Sequence, residues 1–115
     1  MRVGCGPVVM PGAVINANAS IGKFCIVNTK ASLEHDCALA DYASVAPGVT
    51  VGGNVSVGEL SASCIGATIA HRVRIGRETV LGAGSTLLAD LDDNVLAYGT
   101  PAKRIRGRTA DEQYL

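Results

Sequence analysis

The chain has 115 residues, with ten Lys and Arg against ten Asp and Glu and a formal net charge of zero. Its length predicts one small domain, and the balanced charge, with four aromatic residues and no basic run, argues against a nucleic-acid-binding protein. No apolar stretch is long enough for a membrane-spanning helix and no secretory signal opens the chain, so a cytoplasmic location is predicted.

A six-residue period runs from Val3 to Leu87. Of the fifteen positions in this phase, fourteen are Val, Ile or Leu, and the exception is Ser63. The position two residues earlier is small or apolar in most repeats, so two inward residues flank an outward one, as in a short strand. A glycine often follows the aliphatic residue and is expected to allow a sharp corner. Strand and corner alternate without room for a helix, which is typical of a parallel β-helix of hexapeptides.

Residues eighteen apart indicate that three hexapeptides close one coil. The corner positions two after each aliphatic residue then form three files, whose members stack about one strand spacing, ~4.8 Å, apart. One file is charged at every coil from Lys23 to Arg77, and two carry no Lys, Arg, Asp or Glu. The charged file is Lys23, Asp41, Glu59, Arg77; the others are Pro11, Thr29, Pro47, Ile65, Ala83, and Ala17, His35, Gly53, His71, Ala89. We therefore predict an all-β domain of about five three-sided coils in residues 1–90, with one solvent-exposed corner and two partly covered ones.

Two places depart from the period. Ser63 and Cys64 stand where an Ile-Gly pair is expected, and because such a pair follows at Ile65, a local irregularity is predicted in this turn. After Leu87 the run 90–94 is polar. Residues 91–115 are predicted to be a short C-terminal extension that caps or crosses the last coil and ends in a polar tail.

The four cysteines show no spacing typical of a metal site or a redox motif. Cys25 and Cys37 fall on inward positions, whereas Cys5 and Cys64 fall at corners. All four are predicted to be reduced thiols.

The chain has two histidines, His35 and His71, and Asp36 follows the first. Imidazole is suited to proton abstraction near neutral pH, so His35 beside a carboxylate is a candidate general base, although a solvated turn residue fits the same pattern. A zinc site between subunits, of the γ-carbonic-anhydrase kind, would need three histidines. One ligand would then have to be a Cys or a carboxylate, so no metal is expected.

Residues 27–54, which contain Asn-Thr, Glu-His-Asp-Cys, Ala-Pro-Gly and Gly-Gly-Asn, resemble the acetyltransferase domain of the sialic acid and bacillosamine acetyltransferases. The Gly-Thr-Pro-Ala-Lys of residues 99–103 is similar as well, so the resemblance covers nearly the whole chain. It implies a left-handed β-helix, acetyl-CoA as co-substrate, and a homotrimer with active sites between subunits. The acetyl group would pass directly to an amine or hydroxyl of a small acceptor such as an amino sugar or a sugar nucleotide.

The same resemblance implies roles for single residues near the acetyl group. His35 corresponds to the general base, and Asp36 to the acidic residue that raises the basicity of its imidazole. Gly53 corresponds to a position whose backbone N–H faces the acetyl carbonyl. Ser44 stands where a family member has a second histidine that contacts the cofactor, and its hydroxyl can still donate a hydrogen bond.

Further roles follow from the resemblance along the cofactor. Ile65 and Ala83 correspond to residues that line the pantetheine of CoA, and Asn28 to one near the acceptor, where a structural role in the turn fits equally. His71 has no catalytic counterpart and is expected at the surface or in the trimer interface. Family members usually carry an N-terminal Rossmann-like domain for the sugar nucleotide, which this chain is expected to lack. The alternative is therefore a catalytically reduced trimeric scaffold, or an acetyl-CoA-binding module that needs a partner chain.

Overall fold

A computed structural model describes residues 2–109, which contain seventeen strands and no helix. The first fifteen strands are two residues long, and each ends on one position of the six-residue phase. They are β1 (Arg2–Val3), β2 (Val8–Val9), β3 (Val14–Ile15), β4 (Ser20–Ile21), β5 (Ile26–Val27), β6 (Ser32–Leu33), β7 (Ala38–Leu39), β8 (Ser44–Val45), β9 (Thr50–Val51), β10 (Ser56–Val57), β11 (Ala62–Ser63), β12 (Thr68–Ile69), β13 (Arg74–Ile75), β14 (Val80–Leu81) and β15 (Thr86–Leu87).

Every third strand belongs to the same sheet, so each coil has three faces. Face A contains β1, β4, β7, β10 and β13, face B contains β2, β5, β8, β11 and β14, and face C contains β3, β6, β9, β12 and β15. Neighbouring strands are parallel and pair residues eighteen apart, as Val27 pairs with Val45. The predicted three-sided parallel β-helix of about five coils is confirmed.

The interior of the coils is filled by the residues of the six-residue phase. Ile21, Val27 and Leu33 are each at most 2% exposed, and the small residues two positions earlier, such as Ala31, are buried as well. Because the interior is closely packed, a strand shifted along the chain would place different side chains inside, where they would not fit. The period therefore determines which face each strand occupies.

The corners bend at a different residue from the one expected. The second corner residue adopts φ near +60°, for example in Phe24 and Leu60, while the glycines that follow the aliphatic positions have no such φ. A Cβ on Gly58, one of these glycines, would lie 2.5 Å from the backbone of Gly76 in the next coil. Close approach of successive coils, rather than a left-handed turn, therefore requires these glycines.

The turn at Ser63 is regular, so the irregularity predicted there was wrong. Strand β11 pairs in register with β8 below and β14 above. The Ser63 side chain points into the interior, is 2% exposed, and its Oγ has no hydrogen-bond partner among residues 2–109. An unpaired buried hydroxyl costs about 1–3 kcal/mol. The exception in the period is thus a polar atom in the core and leaves the chain path unchanged.

The coils continue beyond Leu87, with one coil shorter by two residues. Leu91 bridges to Ile75, and Val80 pairs with Leu96, so partners are sixteen rather than eighteen residues apart. The strand β16 (Val95–Gly99) extends face B in parallel, and β17 (Ala102–Gly107) folds back antiparallel to it.

The polar run 90–94 completes this short coil. Oδ1 of Asp90 accepts the backbone N–H of Arg74, and Oδ1 of Asp93 accepts that of Arg77, both at 2.8 Å. The carboxylates therefore satisfy backbone donors of the coil below. The domain boundary predicted at residue 90 stays a prediction, and residues 110–115 of the predicted tail lie outside the described residues.

The corner between faces A and B carries the charged file, where the Lys23 backbone N–H donates to Asp41 Oδ1 at 2.8 Å. The adjacent file at that corner carries Phe24, Tyr42 and Leu60 below Glu78, and its three large apolar or aromatic members were not predicted from the sequence. The rings of Phe24 and Tyr42 stack there with centroids 5.6 Å apart. This corner is therefore not uniformly polar.

The four cysteines are free thiols. Cys25 and Cys37 are buried at inward positions, as predicted, and Cys5 is exposed at a corner. Burial raises the pKa of the Cys25, Cys37 and Cys64 thiols above the usual range, so these three are neutral at physiological pH.

Candidate active site

His35 and Asp36 form the corner that joins β6 to β7, between faces C and A. Asp36 adopts the left-handed backbone conformation at this corner, with φ 60°. Its backbone N–H donates to the Ala17 carbonyl at 3.0 Å. This turn brings Oδ2 of Asp36 to 3.0 Å from Nδ1 of His35. A proton on Nδ1 in that hydrogen bond leaves Nε2 as the basic nitrogen of the ring. The imidazole and the carboxylate are 59% and 45% exposed, so a substrate can reach both.

Gly53 lies one coil above His35 and contacts its ring. A Cβ on Gly53 would come within 2.6 Å of Nε2 and 2.8 Å of Cε1 of His35. The missing side chain thus makes room for the imidazole. Among residues 2–109, no acceptor is bonded to the Gly53 N–H, which remains able to donate.

A groove of about 290 Å³ lies on face B beside the corner between faces B and C. Asn28, Ser44 and Ile65 line it together with Cys64. Oδ1 of Asn28 accepts the backbone N–H of Thr29 at 2.8 Å, so its amide nitrogen is the part of the side chain that is left to donate. The groove therefore offers an amide, a hydroxyl and an apolar wall.

Ala83 lies at the same corner, one coil above Ile65. The Gly84 N–H donates to the Ile65 carbonyl at 2.8 Å, and Ala83 is exposed beside it. Ile65 is 63% exposed. These two residues therefore form the continuous, uncharged corner that the sequence predicted.

The predicted site residues form two groups in one chain. His35, Asp36 and Gly53 lie at the corner between faces C and A. The other group lies on face B and at its corner with face C, and contains Asn28, Ser44, Ile65 and Ala83. The outward residues of face C between the two groups are small and uncharged, namely Ser32, Thr50, Thr68 and Thr86. A single chain therefore places the base and the groove on opposite sides of face C.

Among residues 2–109, no group of three or more His, Cys, Asp or Glu side chains is arranged to hold a metal ion. The same residues contain no helix long and apolar enough to cross a membrane. His71 is exposed at the corner of His35, two coils above it.

Known proteins share this fold and about a third of the aligned residues. PerB from Caulobacter crescentus, solved with CoA and GDP-perosamine, superimposes with a TM-score of 0.77 and 36% identity, covering 90% of this chain and 57% of its own. The acetyltransferase domain of PglB from Neisseria gonorrhoeae FA1090, solved with acetyl coenzyme A, gives 0.70 and 31%, covering 90% and 54%. The chain resembles the acetyltransferase domain of these hexapeptide-repeat proteins. Its β-helix is left-handed, as theirs is, so the resemblance seen in residues 27–54 is confirmed.

A relative found by sequence similarity is an acetyltransferase as well. The GDP-perosamine N-acetyltransferase of Escherichia coli O157:H7 is 33% identical over 82 residues, which are 71% of this chain and 37% of the relative. No protein-family model matches the chain. The chain thus spans between about a third and a little over half of the length of these relatives.

Proposed function

We propose that the chain is the catalytic subunit of an acetyl-CoA-dependent acyltransferase that acetylates an amine or hydroxyl of a sugar-like acceptor. The observation that carries this proposal is the pairing of His35 Nδ1 with Asp36 Oδ2 at 3.0 Å, with Nε2 facing Gly53. Relatives solved with CoA, acetyl coenzyme A or GDP-perosamine support the same donor and a sugar nucleotide acceptor.

In the proposed reaction, the acceptor attacks the thioester carbonyl directly. Nε2 of His35 removes the proton from the acceptor amine or hydroxyl as the new bond to the carbonyl carbon forms. Asp36 stabilises the imidazolium that results. The Gly53 N–H donates to the oxyanion of the tetrahedral intermediate. When the C–S bond breaks, the imidazolium returns the proton to the leaving thiolate, and CoA departs as the thiol.

We propose a homotrimer because the base and the groove are separated in one chain. If face C points toward a three-fold axis, the corner that carries His35 in one subunit approaches the corner that carries Ile65 in the next. A contact between two different surfaces that closes after three copies is a standard route to a ring. The small, uncharged outward residues of face C suit such an axis. Each trimer would then hold three sites, all between subunits.

In this arrangement, the groove receives both reactants. Asn28 and Ser44 present an amide and a hydroxyl toward the acceptor and the acetyl group, and Ile65 and Ala83 form an apolar wall for the pantetheine. No step needs a metal ion. Free thiols agree with a cytoplasmic location, which we include in the proposal.

Calorimetric titration with acetyl-CoA tests the donor. We expect a dissociation constant in the micromolar range, a binding free energy of about −8 kcal/mol, with one molecule bound per chain. Incubation with amino sugars and sugar nucleotides should then yield acceptors heavier by one acetyl group in mass spectrometry. An absence of binding at millimolar acetyl-CoA would contradict the proposal.

A second candidate is an acetyl-CoA-binding module that needs a partner chain. Micromolar binding without transfer to any acceptor, followed by transfer once a sugar-nucleotide-binding partner is added, would support this candidate over an autonomous enzyme.

A further inference from the structure

We propose that the C-terminal tail, residues 110–115, docks on an apolar stripe of its own chain at the corner between faces A and B. The stripe consists of Phe24, Tyr42 and Leu60, which stack in successive coils. This corner lies opposite face C, away from both the proposed active site and the proposed three-fold axis. The inference therefore does not depend on the proposed function.

The stripe occupies a backbone position where large side chains are unfavourable. Phe24, Tyr42 and Leu60 have φ angles of 54°, 63° and 60°, in the left-handed region. Bulky residues rarely adopt this conformation, which favours glycine and asparagine. At the other two corners, the equivalent position carries glycine or a polar residue: Gly12, Asn18, Lys30, Asp36, Gly48, Asn54, Gly66, Arg72 and Gly84. Three apolar side chains at one corner thus indicate a surface that is used for a contact.

The stripe is exposed but small. Phe24, Tyr42 and Leu60 are each about half exposed. Since a whole aromatic side chain presents about 150–250 Å², the stripe presents about 300 Å² in total. A stable contact between two folded proteins needs about 800 Å² on each side. A second copy of this chain would therefore find too little area on the stripe, whereas a short extended segment matches its size.

The strand β17 brings the chain to the top of this corner. Asn94 occupies the position of the stripe in the last coil, with φ 55°. The backbone N–H of Arg108 donates to the Asn94 carbonyl at 2.8 Å, and its guanidinium donates to the Glu78 carbonyl at 2.5 Å. The side chain of Arg108 thus already points down the corner, toward the stripe. The tail begins two residues later.

The tail is long enough to reach the stripe. Arg108 lies three coil spacings above Leu60 and four above Tyr42, which is about 14 Å and 19 Å. Six extended residues span about 20 Å. Tyr114 and Leu115, the two large apolar residues of the tail, therefore reach the levels of both stripe residues.

The charges of the tail match those of the corner. Three residues after Arg108, at about 10 Å, Asp111 reaches the level of Arg77. Glu112 follows it. Arg77 is exposed there, whereas Glu78 in the same turn is half-buried. The acidic part of the tail therefore meets exposed positive charge. Further down, where the charged file is acidic, the tail has uncharged side chains.

Disulfide trapping on the full chain tests this contact. The pair Glu59→Cys, Gln113→Cys leaves the stripe and the apolar end of the tail intact, and Glu59 is exposed next to Leu60. In a glutathione redox buffer, we expect an effective concentration of this pair about tenfold above that of a His71→Cys, Gln113→Cys control. His71 is exposed at the equivalent position of another corner in the same coil. Peptide mapping by mass spectrometry distinguishes the new disulfide from the four native thiols.

Removing the stripe should abolish the difference between the two pairs. Tyr42→Asn combined with Leu60→Asn introduces the residue that Asn54 already places in the same backbone conformation. It should lower trapping at position 59 to the level of the control. Tyr114→Ser should have the same effect from the side of the tail and leaves the coils unchanged, so it gives the same comparison if the asparagine variant does not fold.

Three outcomes would overturn the inference. Equal trapping at positions 59 and 71 would show that the tail prefers no corner. Trapping at position 59 that persists without the stripe would show that other groups hold the tail there. A disulfide between positions 59 and 113 of two different chains would show that this corner receives a second copy of the chain.

Discussion

Replacing His35 with alanine is expected to lower the rate of acetyl transfer by a factor of about 10² to 10⁴, the range that general acid–base catalysis usually contributes. The imidazole is the group whose Nδ1 pairs with Asp36 and whose Nε2 faces Gly53. Its side chain is more than half exposed, so the fold should be retained. The measurement is kcat/KM for transfer, with the dissociation constant of acetyl-CoA determined on the same preparation and expected to be unchanged.

His71→Ala is the matched control for this variant. His71 lies at the same corner, two coils above, and lacks a carboxylate that follows it in the chain. The His71→Ala variant should transfer acetyl groups at the wild-type rate. Full activity of His35→Ala would show that His35 is not the base, and equal losses in both variants would show that the corner as a whole, rather than one imidazole, is needed.

Gly53→Ala is expected to reduce transfer by about 10²-fold, the effect of displacing a reacting group by roughly 1 Å. The new Cβ would lie 2.6 Å from Nε2 of His35, so the ring has to move. Gly53 is not in a left-handed conformation, and the group that must shift is the end of an exposed side chain, so stability should change little. Steady-state kinetics and the midpoint of thermal unfolding check both expectations.

The double variant Gly53→Ala, His35→Ala separates two roles of the glycine. If alanine at 53 acts by displacing the imidazole, it should cause no further loss once the imidazole is absent. Losses that add in full would mean that Gly53 acts independently of His35, for example only through its N–H. That result would contradict the account of the clash.

The positions of the strands could be predicted from the sequence because the interior of a β-helix admits little else. Each strand ends on a residue of the six-residue phase, and the file that places His35 beneath Gly53 follows from counting eighteen residues. The reason for the glycines could not be predicted. A glycine required by the backbone of the next coil and one required by a positive φ look alike in a sequence, and residues such as Phe24 adopt the left-handed corner without being glycine.

The candidate site was predictable only in outline. Periodicity places Ile65 and His35 in different files, but the 3.0 Å contact of His35 with Asp36 depends on the left-handed conformation of the aspartate. The position of Tyr98 directly above Gly82 could not be found by counting, because the last coil is two residues shorter and pairs residues sixteen apart. The residue eighteen positions after Gly82 is Thr100, which lies two positions beyond Tyr98. No residue pattern within the run 90–94 indicates that change of register.

Subunit complementation tests most directly whether the base and the groove of one site come from different chains. His35→Ala lacks the base, and Ile65→Asp places a charge at an exposed position of the groove, so each trimer alone should be inactive. Mixed trimers formed from equal amounts, with exchange verified by native mass spectrometry, should regain about a quarter of the wild-type activity, because one interface in four combines two intact halves. Mixed trimers that remain inactive would contradict the placement of the site between subunits.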